Sequence, residues 1–474
     1  LVNATNNNMG SATAVSFRRS AQEWLDEKAE LIAAGTVPAC DLPFAMHLVS
    51  QQSQLDEITG NRLNQSFTYR QGFYNRIERE FRGFGLLLQN DTEASPAQRS
   101  SPGFTTPILS KTWFHTGKTL DMRNPGYYQR DAHAVDLRPP LLYDYPLDDA
   151  AGRTIEPDAE LAREMARCLS GSVLRSEVFA ADDDPATAGP HSAQENRFAI
   201  RQLRAKGQHQ PYAVLQPLSL ESIAYHYEPE VADDPLIQHS LNLRWDKFGN
   251  LIHGFVVHYA RRKTASNTPP FAVDQPGDGS EADHENRWWL DAHDDAQQCW
   301  YLSEAKAEYR HLEDLEGWRL GLPYRQRGNA LVLQKTELKA GDIHHQQMLE
   351  WADDQPDWAA KAVLSGLSLQ RYQDPATGQL LDPDQLTFNA LPDYSETAEL
   401  DASALSAYDK LRDDNGEMPF NLKEKLQSPE VGYHIMQPFL PDAPAAATQD
   451  SSDARDYLWS VRKGFPTYRG LAGF

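Results

Sequence analysis

The chain has 474 residues, a formal net charge of −23, 40% hydrophobic residues and three cysteines. That acidic balance excludes a phosphate backbone as partner, because nucleic-acid binding draws on clustered Lys and Arg releasing counterions; it disfavours an anionic membrane surface and suits solubility or the enclosing of cationic cargo. Cys40, Cys168 and Cys299 lie far apart without CxxC spacing, so neither a disulfide framework nor a zinc site is indicated and buried free thiols are expected.

The modest apolar content predicts a thin wall or extended sheet with two solvated faces better than one thick core. No run approaches the ~18 apolar residues of a membrane span, so the region reads as soluble. The chain begins at Leu1 without an initiator methionine or a basic-then-apolar leader, and is read as a fragment of a longer polypeptide.

In chain order, residues 1–19 open with an Asn-, Ser-, Thr- and Ala-rich stretch and are expected to be poorly ordered. From Ser20 to Ala34, Trp24, Leu25, Lys28, Leu31 and Ile32 recur at helical spacing that stops near Gly35 and Pro38. A second helix is predicted from Asp158 as N-cap through Leu161, Met165, Cys168 and Leu169, with Gly171 as the stop.

Between and beyond these helices, short alternating runs broken by Pro, Gly, Asp and Asn predict many short strands. The clearest hairpin is Ser240 to Arg262. Leu241, Leu243 and Trp245 alternate up to the turn residues Asp246 to Asn250, and Leu251, His253, Phe255, Val257 and Tyr259 resume the alternation. Tyr143-Asp144 with Asp149 to Arg153, and Tyr372 to Leu380, echo that turn and predict a recurrent hairpin type without a strict period. Polar segments at Asp182 to Ser192, Lys263 to Asn286 and Ala443 to Ala454 read as loops, the middle one as the best linker. Glu304 to Leu315 has helical propensity, yet Tyr301, Ser303, Ala305, Ala307 and Tyr309 alternate, which favours a strand.

The densest chemistry lies at Arg76 to Gly85, R-I-E-R-E-F-R-G-F-G. On one strand face, Glu78 and Glu80 could form the carboxyl pair of a glycosidase, which needs groups roughly 5–10 Å apart. The adjacent guanidinium groups disfavour the protonated acid such chemistry requires, so a structural salt-bridge lattice is the preferred expectation. Acids and histidines at Glu281 to Glu285 and Asp291 to Asp295, beside Trp288 and Trp289, lack the spacing of a calcium loop and read as solvated charge. His344-His345 on a strand would point to opposite faces and share no metal. No G-x-S-x-G, P-loop, G-x-G-x-x-G or H-E-x-x-H motif occurs. Neither an enzyme nor a bound cofactor is expected.

A colinear series of phrases resembles the middle and C-terminal regions of insecticidal toxin-complex B components, relatives of the N-terminal part of the Salmonella plasmid virulence protein. Leu42-Pro43-Phe44, Asp56 to Asn61 and Tyr69 to Tyr74 come first, followed by the signature Glu78-Arg79-Glu80-Phe81-Arg82-Gly83-Phe84-Gly85 and Asp91-Thr92-Glu93. Thr112 to Gly117, with Trp113 and His115, Leu174 to Phe179, Glu221-Ser222, Tyr227-Glu228, Gly249-Asn250, Tyr259 to Arg262 and Arg319 to Pro323 continue the series, which thins towards Phe474.

The resemblance implies a mainly β fold: a spiralling β-sheet strip of the RHS or YD-repeat type, part of a hollow shell, with a few short helices. It implies a first shell segment over 20–156, a middle/C-terminal toxin module over 157–262, a loop or insert at 263–286 and further shell strands over 287–474. It also implies a secreted bacterial complex in which a C component with a toxic C-terminus completes the shell, a cytotoxic effector is enclosed, and an A-component pore is reached through the rest of the B protein. No catalytic residue carries over. The competing reading is a β-rich carbohydrate-active protein, hydrolytic through Glu78 and Glu80 or glycan-binding through Trp288 and Trp289.

Overall fold

Alternating β-branched, aromatic and polar residues make strands the dominant element of this computed structural model. It describes residues 1–91, 107–119, 127–128, 131–144, 153–181, 188–228, 231–270, 281–314, 317–354, 361–400, 402–408, 411–412, 416, 421–436 and 458–464. The chain divides into two units, residues 1–239 with 259–298, and 240–258 with 299–474.

In the first unit β1 (Ala4–Asn6), β2 (Ser11–Arg19), β3 (His47–Asp56), β4 (Arg62–Asn75), β5 (Glu80–Asp91) and β6 (Ile108–Phe114) form an antiparallel meander. Two short strands follow, β7 (Leu141–Asp144) and β8 (Arg153–Thr154), paired with each other. The sheet continues from β6 through β9 (Val173–Ala180) and β10 (Pro190–Arg204) to β11 (Val214–His226). The first half of β10 pairs with β9, and its second half takes β7 in parallel. A register shift opposite Arg197 and Phe198 leaves Leu220 as an extra residue, and both Leu220 and Glu221 are buried.

Two helices pack on this sheet by different means. Helix α1 (Ser20–Ala33) docks on β4 through charge: Arg70 pairs with Glu23 at 2.9 Å and Glu30 at 2.7 Å, and Arg18 pairs with Glu23 at 3.0 Å. Its apolar periodicity foretold the helix but not its docking face, because Leu25 and Ile32 are 54% and 58% exposed. Helix α2 (Ala159–Cys168) docks through apolar burial, with Met165 and Leu169 against Leu142 and Ile200. Asp158 caps it, accepting the Leu161 N–H at 2.8 Å, and Gly171 takes φ +87° where the chain turns away.

β12 (Leu236–Trp245) belongs to the first unit up to His239 and to the second thereafter. In the second unit β13 (Leu251–His258), β14 (Cys299–Glu313), β15 (Trp318–Gln334) and β16 (Val363–Gln373) pair antiparallel in sequence order. The short β17 (Leu380–Leu381) folds back on β16, which also pairs with β18 (Leu391–Leu400); β19 (His434–Met436) and β18 both flank β20 (Leu458–Gly464). Small clusters centre on Leu367 with Met436, and on Leu322, Tyr372 and Ala390. Alternation outweighs helical propensity in β14, where Trp300 and Leu302 are buried and Tyr301 is exposed.

Four expectations need correction. The opening residues carry β1 and β2, because nine cross-strand pairs with β3 order a stretch whose small polar residues look loose alone. The 263–286 insert runs into a helix, α3 (Glu281–Ala292), in which Trp289 is buried, as is His293 just after it. His344 and His345 are not on a strand: His345 opens helix α4 (His345–Asp354) and is buried. Of the three cysteines only Cys299 is buried; Cys40 is exposed and Cys168 half-buried. The Asp149 to Gly152 turn, residues 182–187, residues 271–280 and the 443–454 loop lie outside the described residues.

Candidate functional site: a buried arginine at the β4–β5 corner

The signature Glu78 to Gly85 straddles a turn and a strand. Asn75 Oδ1 accepts the N–H groups of Ile77 at 3.0 Å and Glu78 at 3.1 Å, which curls the chain. Arg79 sits at φ +55° and the strand resumes at Glu80. Glu78 therefore lies in the turn and not beside Glu80 on a strand face, as its sequence spacing had suggested. The two carboxylates converge all the same, because Arg82 draws them together.

The Arg82 side chain is 1% exposed. It is ion-paired to Glu78, donates from Nε to Glu80 at 3.2 Å, and donates from Nη1 to the Gly117 carbonyl at 2.9 Å. Arg167 of α2 approaches from outside, its Nε 3.3 Å from Glu78 and 3.5 Å from Glu80. Gly117, at φ +70°, leaves room for this junction: a Cβ there would stand 2.5 Å from Arg82 Nη1. One guanidinium thus ties the β4–β5 turn to the segment after β6, and its counter-ions reach α2.

The aromatic members of the signature form an adjoining tier. Phe81 meets Phe44 at 6.0 Å and Phe84 at 5.8 Å, both edge-on; Phe84 meets Tyr69 at 5.1 Å, and Phe44 meets Tyr74 at 5.4 Å. Gly83 takes φ +86°, a left-handed conformation that β-branched residues resist, and Gly85 lies where a Cβ would be 2.6 Å from Gln71 Oε1.

Trp113, at the end of β6, is 1% exposed and packs edge-on against Tyr127 at 5.0 Å. His115 follows it at 1% exposure, edge-on to Phe198 at 5.8 Å, and neither ring nitrogen has a hydrogen-bond partner among the described residues. Burial pushes its imidazole down to about 4. His115 also accepts the N–H of Gly171 on its carbonyl at 2.7 Å, which fixes the exit of α2.

Gly249 and Asn250 sit in the second unit, in the turn between β12 and β13. Asp246 Oδ1 accepts the N–H groups of Phe248 and Asn250, both at 2.9 Å, and Oδ2 accepts the Asn250 amide at 2.8 Å. His311 accepts the Gly321 N–H on Nδ1 at 3.0 Å, so its Nε2 carries the proton that it donates to Asp246 at 2.9 Å. Gly249 holds φ +91°. The same Asp-anchored turn recurs at Asp374 to Gly378, where Asp374 accepts Ala376 N–H at 2.7 Å. It also occurs at Asp56 to Gly60, where the Thr59 hydroxyl and two backbone N–H groups hold the Asp56 carboxyl below its usual range.

This arrangement is cross-linking chemistry. Glu78 and Glu80 are both engaged by Arg82 and Arg167, ion pairs that join turn, strand and helix. Trp289 is 1% exposed, its ring tilted at 31° against His293 with centroids 4.0 Å apart, so it offers no glycan platform, although Trp288 is 42% exposed. His293 bonds the Trp289 carbonyl at 2.9 Å and Asp234 at 3.0 Å. Among the described residues no group of three His, Cys, Asp or Glu side chains could hold a metal ion.

Residues 1–117 match the family of the insecticide toxin TcdB middle/N-terminal region, and residues 164–322 that of the TcdB middle/C-terminal region. The chain belongs to the insecticidal toxin-complex B-component family. Solved structures agree: the crystal structure of TcdB2–TccC3 is 27% identical, with a TM-score of 0.77 over 98% of this chain and 21% of that one. The TcdB2–TccC3–Cdc42 structure is 28% identical, with a TM-score of 0.76 over 98% and 20%. The Photorhabdus luminescens Tc holotoxin pore is 27% identical, with a TM-score of 0.77 over the same shares. No match was found among curated protein sequences. The chain thus spans about a fifth of the solved chains it matches.

Within this B-component region, Glu78 to Gly85, Trp113 and His115 fall in the first family match, and Gly249 and Asn250 in the second. The structure gathers the first group on β5, β6 and the turn before β5, and keeps the second in another unit. The sequence did not point to Arg167, and it placed Gly117 and Asp56 only within family phrases, without the part of Gly117 in the Arg82 junction or of Asp56 in the turn set. Only the D-x-x-T-G spacing shared by Asp56 and Asp374 signalled the last of these.

Proposed function

We propose that this region is a wall segment of a B-component shell that, with a C component, encloses a cytotoxic effector for delivery through an A-component pore. The reading rests chiefly on one observation: 98% of the chain aligns with solved structures described as TcdB2–TccC3 and as a Tc holotoxin pore. The local chemistry supports a structural part in place of an enzyme, since the acidic signature is spent on ion pairs that join strand, turn and helix. Antiparallel strands with Asp-anchored turns suit a sheet that grows laterally, in which each added strand covers the edge of the last. No described helix is long and apolar enough to cross a membrane, and the membrane step in this scheme belongs to the A component. Secretion as part of the toxin complex follows from the same reading.

Protease protection tests it. An effector co-expressed with the full B and C components should survive proteinase K until the complex is denatured. Digestion at the rate of the free effector would contradict enclosure.

A further inference from the structure

Helix α1 meets the sheet through three carboxylates spaced one turn apart. Glu23 is paired with Arg18 and Arg70, and Glu30 with Arg70. Glu27, between them, accepts the backbone N–H of Gln71 at 2.9 Å, and among the described residues no cation pairs with it. Glu27 lines a cavity of about 290 Å³ beside α1, together with Trp24, Leu31, Tyr69, Phe73 and Phe84. Lys118 also lines the cavity, its Nζ 5.8 Å from the Phe73 ring centroid and engaged by Asp41 at 2.7 Å.

The backbone is shaped around this carboxylate. Gln71 is held at φ +60°, a left-handed conformation uncommon outside glycine, at the point where its N–H reaches Glu27. Gly85 makes this possible, because a Cβ there would collide with the Gln71 side chain. Burial, reinforced by Glu30 and Glu23, pushes the Glu27 carboxyl above its usual range despite the Gln71 N–H and Arg70. A half-buried carboxylate with aromatic walls and no paired cation has an unmet demand for positive charge.

We propose that the cavity beside α1 binds a single organic cation, an alkylammonium or guanidinium group on an apolar stem, with Glu27 as counter-ion and Trp24, Tyr69 and Phe84 as walls. Its volume lies at the low end of the roughly 300–1,000 Å³ of small-molecule sites, which fits one side chain and not a polymer. Aromatic faces attract such cations, and the stem fills the apolar remainder. The cation is either a lysine or arginine side chain of another polypeptide or a free amine. The site does not depend on the shell reading.

The test titrates the intact B component with N-acetyl-lysine methylamide, n-butylamine and the uncharged N-acetyl-norleucine methylamide, by saturation-transfer NMR and calorimetry. Saturable binding of a cationic probe is expected, at least tenfold weaker in Glu27→Gln, with none for the norleucine probe. Tighter capped lysine assigns a polypeptide side chain, and tighter butylamine a free amine. Thermal melts qualify the variants, and Leu31→Phe, which narrows the cavity with Glu27 intact, weakens binding by a separate route. Equal binding of norleucine, unchanged binding in Glu27→Gln or in a folded Leu31→Phe, or no saturable binding of either cation overturns the proposal.

Discussion

Arg82 concentrates the energetics of its corner because its side chain is almost fully removed from water while two carboxylates and a carbonyl depend on it. Breaking a buried ion pair from one side strands the remaining charges, so Arg82→Met should lower unfolding stability by about 3–5 kcal/mol in urea titrations. Gly83→Val forces a β-branched residue to φ +86° and should cost about 1–3 kcal/mol. His115 makes a prediction with a sign. Its folded imidazole is held down to about 4, against an ordinary 6.5. Above pH 6.5 both folded and unfolded forms are neutral; between 6.5 and 4 the unfolded chain takes up the proton first, so stability falls as pH falls through that window. His115→Phe keeps the packing on Phe198 and removes the titration, so its stability should be flatter from pH 6.5 to 4, as read by urea midpoints. Glu221 acts lower on the scale: burial raises its carboxyl, but hydrogen bonds and charge from His239 and Arg197 prevail and bring it to about 2. Its stabilisation is present above 4.5 and is lost as pH falls from there towards 2, a window that lies below that of His115 and overlaps it only between 4.5 and 4.

The turns and helices show which elements can be read from sequence and which cannot. In Asp246→Ala the N–H groups of Phe248 and Asn250 lose their acceptor, so amide exchange should quicken at those two residues and at Gly249 while β14 stays protected; the loss is about 1–2 kcal/mol. Local chemistry of that kind was legible: Asp158 as a cap, Gly171 as a stop, the Asp246 to Asn250 turn and the alternation of β14 all follow from side chains acting within a few residues of themselves. Whatever depends on a distant partner was not. β2 is ordered by β3, and α1 buries Glu23 and pairs both it and the exposed Glu30 with Arg70, which lies on β4 some forty residues later. The Glu78 to Gly85 signature was found from its residues, but its geometry was misread, since Asn75 curls the chain and moves Glu78 off the strand. The partners Arg167 and Gly117 come from other elements, and no local pattern announces them.

At the scale of the molecule, buried charge takes a larger part than apolar packing would suggest from composition alone. In the first unit Arg175 of β9 pairs with Glu177 of its own strand and with Glu195 of the neighbouring β10, and Arg197 of β10 pairs with Glu221 of β11; in the second, His253 meets Glu304 at 2.7 Å and Arg325 meets Glu308 at 2.6 Å, both across neighbouring strands. Such pairs fix which strands lie side by side more than they add net stability, because desolvation offsets much of their attraction. That would suit the proposed wall, in which register must hold over many strands. The family assignment and the alignment with the structure described as TcdB2–TccC3 support the wall proposed above. The most direct measurement is a cryo-EM map of the full B component co-purified with its C component. A hollow, thin-walled particle with β5 and β6 in the wall is expected. A compact solid particle that presents Glu78 and Glu80 at a surface cleft would contradict it.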